Sequence, residues 1–282
     1  MDYLFGYKIS DSKYPQMKII ETPKFILRPA TLKGAPDFFE YFSQEKVLRY
    51  LSFSTHKNIL QTKIFIKSFF INNYKKGNIG NYAIYYKHDN KVIGNIGLNN
   101  IDPNSKSSEI GICINPKYWG HNFATELTVI TLITGFELLN LDKLIALTYT
   151  KNKYTPKSLE NLGFKYINTF KIKPSGDTCH RFELTKDEYL KLYDPQLDNK
   201  VKNPLFKIMY LILNEKYEEA LELSKKVTSQ QKDIGYIMKL YYRIICLEHL
   251  EKENELNDCI NEMVEFNDQI HYVKEIKDKY KK

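Results

Sequence analysis

Ser108-Glu109-Ile110-Gly111-Ile112-Cys113-Ile114-Asn115-Pro116-Lys117-Tyr118-Trp119-Gly120-His121-Asn122-Phe123-Ala124-Thr125 is the stretch on which the reading of this chain turns. It begins as a β-rich run and stops at Pro116, as a strand does. A short turn containing Gly120 follows, and then Phe123 to Leu139 repeats Leu127, Ile130, Ile133 and Phe136 at helical spacing. A strand, a tight turn and a helix start in that order leave several backbone N–H groups without helical partners. They point outward at the positive end of the helix dipole, so the stretch predicts a site for an anionic ligand such as a phosphate.

Downstream, Leu144 to Thr148 reads as a strand, and Thr155-Pro156 as a cap with proline in the first turn of a helix that stops at Gly163. Phe164–Ile172 and Cys179–Leu184 are further strands, and Thr185-Lys186-Asp187-Glu188 has the form of a capping box. Upstream, Tyr82–Tyr86 and Val92–Leu98 flank a polar turn at Lys87–Lys91. Gly94-Asn95-Ile96-Gly97 lies inside a strand and opens no helix, so it reads as close backbone approach and not as a dinucleotide fingerprint. Phe25–Pro29 is a short strand, and Thr31 is placed to cap a helix carrying Phe38, Phe39 and Phe42. Over 57–75, Leu60, Ile64 and Phe69 recur at helical spacing, and residues 1–17 read as a polar, irregular arm. The order predicts a mixed sheet with helices around it.

Beyond residue 200 strand signals cease. Asn203-Pro204 has the form of a cap and first-turn proline; Leu205, Ile208 and Ile212 make one stripe, and Tyr217, Ala220, Leu221 and Ser224 a second. Leu256, Cys259 and Ile260 repeat Tyr217, Ala220 and Leu221 further along. These helix pairs, and Tyr217-Glu218-Glu219-Ala220-Leu221 above all, resemble tetratricopeptide repeats. Two pairs are fewer than the three or so such arrays need, so the segment is expected to pack against the first domain.

Composition narrows the class. Hydrophobic residues make up 43% and aromatics 14% of 282 residues, enough for a core and inconsistent with extended disorder. Residues 1–190 carry 26 basic against 17 acidic side chains and residues 191–282 carry 16 against 17, so the surplus sits with the predicted anion site. The lysines are scattered, which argues against nucleic acid. Cys113, Cys179, Cys246 and Cys259 show no CxxC spacing and the six histidines no HExxH, so neither a metal site nor a disulfide framework is expected. Without a signal-peptide core or a spanning apolar run, the expected location is cytoplasmic, with no membrane partner.

Residues 22–185 resemble the GNAT acyltransferase superfamily, and within it the RimJ/RimL-type N-acetyltransferases. The matching pieces are Phe25-Ile26-Leu27-Arg28-Pro29, Glu109-Ile110-Gly111, Tyr118 to Glu126, Asn152-x-x-Thr155 and Leu162-Gly163-Phe164. The resemblance implies an α+β fold of α/β/α GNAT type, its mostly antiparallel mixed sheet splayed at the central strands, followed by an all-α C-terminal domain. Boundaries fall at an arm 1–17, an acetyltransferase domain 18–193 and a helical domain 200–282.

It further implies acetyl-CoA as cosubstrate and direct acetyl transfer to a primary amine. By resemblance Cys113 and Ile114 supply backbone contacts to the pantetheine, and Gly120, His121, Asn122, Phe123 and Ala124 the phosphate cradle. The family pattern has glycine where Asn122 stands; asparagine is the least costly replacement if φ is positive there. Glu109 stands where relatives place a general base, and otherwise ends a strand or pairs with a lysine. The tyrosine that many relatives use as general acid is replaced by Leu159, which points to Thr155, itself also a candidate helix cap. Asn152 orients the cofactor or is a turn residue. Cys113 reads as a buried structural thiol, and His121 and Trp119 are as readily surface or core. The acceptor stays open among protein N-termini, lysines, amino sugars and other small amines. A protein partner is expected through the C-terminal helices, the alternative being a non-catalytic scaffold built on a degenerate domain.

Overall fold

The computed structural model describes residues 2–4, 7–51, 53–172, 176–193, 204–227, 234–268 and 270–280. It divides into two compact units, built essentially from residues 8–190 and 191–282.

The first unit is a mixed sheet flanked by helices. Its described strands are β1 (Asp2–Leu4), β2 (Tyr7–Ser10), β3 (Ile19–Glu21), β4 (Phe25–Pro29), β5 (Asn81–Tyr86), β6 (Lys91–Asp102), β7 (Ser107–Ile114), β8 (Lys143–Tyr149), β9 (Lys165–Lys171) and β10 (Thr178–Thr185). They lie in chain order except that β10 sits between β8 and β9. Pairings from β2 to β7 and those of β10 are antiparallel, and β7 and β8 run parallel. Residues 1–17 are therefore not wholly irregular: Lys8, Ile9 and Ser10 pair with Glu21, Ile20 and Ile19. The sheet thus starts before the first helices.

Those helices are α1 (Ala35–Phe42), α2 (Glu45–Leu48), α3 (Ile59–Phe65) and α4 (Asn72–Lys75), with a π-helical segment, Ile66–Ile71, joining α3 to α4. Thr31 precedes a 3-10 turn, Leu32–Gly34, and its side chain caps nothing. The stripe read over 57–75 is also corrected. Leu60 and Ile64 are 63% and 59% exposed, whereas Thr62, Ile66, Phe70 and Tyr74 face inward. A step of four residues drifts around an α-helix, and the wider π turn absorbs that drift, keeping the four in line. Tyr74 locks the end of this run to the sheet, its hydroxyl donating to the Asn81 carbonyl and accepting from the Ala30 N–H.

A parallel pair needs a crossover, and α5 (Phe123–Ile133) with its π-helical continuation Thr134–Leu138 supplies it. Leu127, Ile130, Ile133 and Phe136 are all buried, as their spacing predicts. Thr128, Thr131 and Thr134 are buried too, each hydroxyl donating to the carbonyl four residues back. Gly94 and Gly97 meet neighbouring backbone: an added Cβ would lie 2.3 Å from the Cys113 oxygen and 2.5 Å from the Asn81 Cα. The unit closes with α6 (Thr155–Asn161) and α7 (Lys186–Tyr193), the latter opened by a capping box in which Thr185 and Glu188 exchange N–H bonds of 3.0 and 3.3 Å.

The described elements of residues 204–280 in the second unit are all helices: α8 (Pro204–Leu213), α9 (Tyr217–Lys226), α10 (Ile234–His249), α11 (Glu253–Val264) and α12 (His271–Tyr280). Asn203 lies outside the described residues. α10 packs against the other four, with Ile208, Leu221, Leu240, Ile244, Met263 and Val273 buried among them. No described helix is long and apolar enough to cross a membrane.

Candidate active site

β7 and β8 begin side by side and then part. Their pairing runs from Ser107 and Lys143 to Ile110 and Ala146, yet β7 continues to Ile114 and β8 to Tyr149. Each is held from its outer side over this length, β7 by β6 as far as Gly94–Ile114 and β8 by β10 as far as Tyr149–Cys179. The edge of β7 over Gly111–Ile114 therefore faces an opening with no strand partner among the described residues, an arrangement that receives an extended ligand through main-chain hydrogen bonds. Cys113 and Ile114 lie on it. The Cys113 side chain does not: it is buried, and burial pushes its thiol up to about 12, which makes it structural and unsuited to nucleophilic work.

The turn after β7 is fixed by its own side chains. Asn115 Oδ1 accepts from the Lys117 N–H at 3.1 Å, and Trp119 Nε1 donates to the Ile114 carbonyl at 2.8 Å. Gly120 has φ +82 and open space within 4 Å of an added Cβ. Asn122 has φ 60 and ψ 13, the left-handed conformation, and immediately precedes α5. Among the described residues none accepts from the N–H of Gly120 or Ala124. Donors, open space and a helix start coincide here, which fits a pyrophosphate. The Phe123 ring belongs to the core, edge-on to Phe25 at 5.2 Å, so only its main chain is available to a ligand.

One support of this turn was invisible in the sequence. Lys24 Nζ meets Glu126 Oε2 at 2.8 Å with side-chain exposures of 4% and 12%, pinning the first turn of α5 to the start of β4. An acidic residue in a first helical turn is a recognisable signal; its lysine, 102 positions away, is not.

Glu109 sits at the last rungs of the β7–β8 pairing, opposite Asn99 of β6 and beside Ile145 of β8. No described lysine or arginine pairs with it; Asn100 donates to its Oε2 at 3.2 Å. Asn100 has φ 50 and lies where the β6–β7 register shifts, so a bulge aims its amide at the carboxylate. From Asn99 a line of amides runs beneath the strands. Asn81 donates to Asn99 at 2.6 Å, Asn95 to Asn81 at 3.2 Å, and the Tyr41 hydroxyl to Asn95 at 3.1 Å. Gly97 and Gly111, paired with each other between Glu109 and Cys113, make room on this face for the Asn81 and Asn99 side chains, which would lie 2.9 and 3.2 Å from an added Cβ. Asparagine is disfavoured in strands, so its recurrence at 81, 95 and 99 was the available signal.

Past the open end of β8, Thr155 does not cap α6: Tyr154 holds the N-cap position with no side-chain cap bond, and the turn leading into it is closed by Asn152. Its Oδ1 accepts from the N–H of Tyr154 at 3.2 Å and of Thr155 at 3.3 Å, while its Nδ2 donates to Thr155 Oγ1 at 2.8 Å. Thr155 is the first helical residue. Its hydroxyl accepts from Asn152 and has no acceptor of its own among the described residues, so its proton is available to a ligand. All the nominated residues thus lie at or beyond the C-terminal ends of the parallel pair, where open sheets bind ligands.

Helix α1 is tied to this turn through Glu40, which pairs with Lys91 and, at 2.6 Å, with Lys117. Burial alone would raise the Glu40 carboxyl, but the two ammonium groups overcome it and hold it down to about 2. A depressed folded-state value means stability that is present above the ordinary carboxylate range and lost as pH falls through it toward about 2. The melting temperature of the protein is therefore expected to fall over this acid window, and that of Glu40→Gln to fall less. Parallel melting curves for the two would exclude the linkage.

Residues 24–165, half of the chain, match the acetyltransferase (GNAT) domain family, and the chain belongs to it. The first unit is accordingly a catalytic acetyltransferase domain that uses acetyl-CoA. The chain is 28% identical over 178 residues to the uncharacterized N-acetyltransferase p20 of Bacillus licheniformis, covering 61% of this chain and 99% of that one. It is 30% identical over 147 residues to the uncharacterized N-acetyltransferase YoaA of Bacillus subtilis, covering 52% and 82%. Among solved structures, a GCN5-related N-acetyltransferase from Brucella melitensis aligns with a TM-score of 0.58 at 18% identity over 83% of this chain and 97% of that one, a likeness of fold. Among the described residues, no group of three His, Cys, Asp or Glu is placed to hold a metal ion.

Proposed function

We propose that the protein moves the acetyl group of acetyl-CoA directly to a primary amine, in the manner of the RimJ/RimL-type enzymes its motifs resemble. The observation that carries this reading is the parting of β7 from β8 directly before a left-handed turn and a helix start. In it the main chain of Cys113 and Ile114 holds the pantetheine arm, and the N–H groups from Gly120 to Ala124 hold the pyrophosphate. Acetyl-CoA supplies an electrophilic thioester whose sulfur leaves as a thiolate. The incoming amine must be neutral to attack, and Glu109 accepts its proton, directly or through one water. Thr155, oriented by Asn152, donates its hydroxyl proton toward the departing sulfur. The helical unit is read as tetratricopeptide-like: the hairpins α8–α9 and α10–α11 repeat, with Ala220 and Leu221 of one and Cys259 and Ile260 of the other all buried.

Calorimetric titration with acetyl-CoA is expected to show saturable binding at micromolar to submillimolar concentration, roughly −8 to −5 kcal/mol. A panel of peptides, polyamines and amino sugars, followed by thiol release, is expected to contain an accepted amine. Binding without turnover on any member of the panel would remove amine transfer from this reading, and no binding at millimolar cofactor would remove the whole of it.

A further inference from the structure

Between Lys46 and His88 the chain holds eight basic residues and no aspartate or glutamate, so this one stretch carries a charge equal to the +8 of the entire protein. All but Lys87 are exposed, and none of those seven meets a carboxylate among the described residues. Elsewhere in the same unit lysines such as Lys24, Lys91, Lys143 and Lys165 sit on acidic partners. The unpaired charge is interleaved with apolar surface. Leu60, Ile64 and Phe69 are 63%, 59% and 42% exposed, on the same run as Lys63 and Lys67. This is the stripe that helical spacing alone would have placed in the core.

Its position gives it meaning. The Tyr50 hydroxyl donates to the Lys151 carbonyl at 3.2 Å, beyond the open end of β8, and the Lys46 ammonium stands 5.8 Å over the Trp119 ring, beyond the open end of β7. The start of the segment, from Lys46 to Tyr50, therefore lies beside the cleft where the strands part. It is also firmly seated: the Phe53, His56 and Phe65 rings pack on Phe42 of α1 at 5.1 to 5.5 Å, so α3 presents a preformed face.

We propose that this face recognises the acceptor, and that the acceptor is the N-terminal segment of an acidic protein, its carboxylates on the lysines and its apolar side chains on Leu60, Ile64 and Phe69. The inference rests on the amine-transfer reading above and names its substrate class. Charge complementarity selects an anionic partner. Exposed aliphatic side chains select a polypeptide over a nucleic acid, because Leu60 and Ile64 cannot stack on bases and Phe69 is already stacked on Phe65 at 5.1 Å. A symmetric pairing of two copies through this face would set like charges against each other.

The test separates binding from chemistry. Two short peptides with free α-amino groups, matched in leucine content and carrying either Asp/Glu or Lys/Arg, are labelled at the C-terminus and followed by fluorescence anisotropy. The acidic peptide is expected to bind at least about tenfold tighter, and to weaken about tenfold as salt rises from a Debye length of about 10 Å to about 3 Å. Lys63→Glu with Lys67→Glu, and separately Leu60→Ser with Ile64→Ser, are each expected to weaken it about tenfold or more while acetyl-CoA affinity is unchanged. Equal binding of the two peptides, or binding indifferent to both double variants, overturns the inference even if amines are acetylated. Peptide binding without acetylation of any amine leaves the surface standing and overturns the reaction. Single-stranded oligonucleotides or phosphatidylglycerol vesicles binding more tightly than the acidic peptide, and losing affinity in the lysine variant, overturn it in favour of those ligands. A concentration-dependent dimer abolished by Leu60→Ser with Ile64→Ser does so in favour of a second copy.

Discussion

Glu109→Gln is expected to lower kcat/KM for amine acetylation by about 100-fold or more near neutral pH while leaving acetyl-CoA affinity unchanged, because a positioned general base contributes roughly 10²–10⁴ in rate. The substitution keeps the size of the side chain and its ability to accept from Asn100, so a collapse of the β6 bulge cannot account for the loss. The size of the effect depends on the acceptor. Near pH 7 a lysine amine lies about 4.6 kcal/mol from its neutral form and an α-amine about 1.4 kcal/mol, so a missing base costs more with lysine. The variant should also recover as pH rises toward the pKa of the amine, since solvent then removes the proton that Glu109 no longer takes. Steady-state rates across about pH 6 to 9 decide the matter. Turnover at the wild-type level throughout that range would take Glu109 out of the chemistry and leave it as a strand residue that holds the Asn100 amide.

What could be read from residue order alone was whatever depends on neighbours in sequence. The capping box at Thr185 and Glu188, the close approach at Gly94 and Gly97, and the strand–turn–helix at 108–125 are local signals, and the structure contains all three. The reversal of the 57–75 stripe came from a change of helical period, which a fixed spacing of 3.6 residues cannot register. Thr155-Pro156 has the local form of a cap and first-turn proline, whereas Asn152, three residues earlier, reaches the Tyr154 and Thr155 N–H groups through an Asx turn. The strand at Tyr7–Ser10 was hidden by its lysine and serine, although Ile9 is buried and its neighbours Lys8 and Ser10 are half-buried. The amide line from Tyr41 to Asn99 and the Lys24–Glu126 pair depend on strand register and on folding distant segments together. No local pattern carries that information.

Asn122 is the position where local reading and structure meet most sharply, and it yields the second large effect. Its φ of 60 lies in the left-handed region, where a β-carbon clashes with the following carbonyl at a cost of roughly 1–2 kcal/mol, and more for a β-branched residue. Asparagine is among the few side chains that tolerate this conformation, and glycine has no β-carbon to clash. Asn122→Val is therefore expected to force the turn out of the geometry that aims the N–H groups at the start of α5. Acetyl-CoA affinity should fall about tenfold to 100-fold, with unfolding destabilised by about 1–3 kcal/mol. Asn122→Gly should bind within about threefold of the wild type, because it keeps the turn, with a cost in unfolded-chain entropy on the order of 0.5–1 kcal/mol of stability. The pair of variants distinguishes backbone geometry from side-chain contact. If valine weakens binding and glycine does not, the turn acts through its main chain. If both weaken it equally, the Asn122 amide itself touches the ligand; if neither does, the pyrophosphate is held elsewhere and the open edge of β7 must supply the affinity alone.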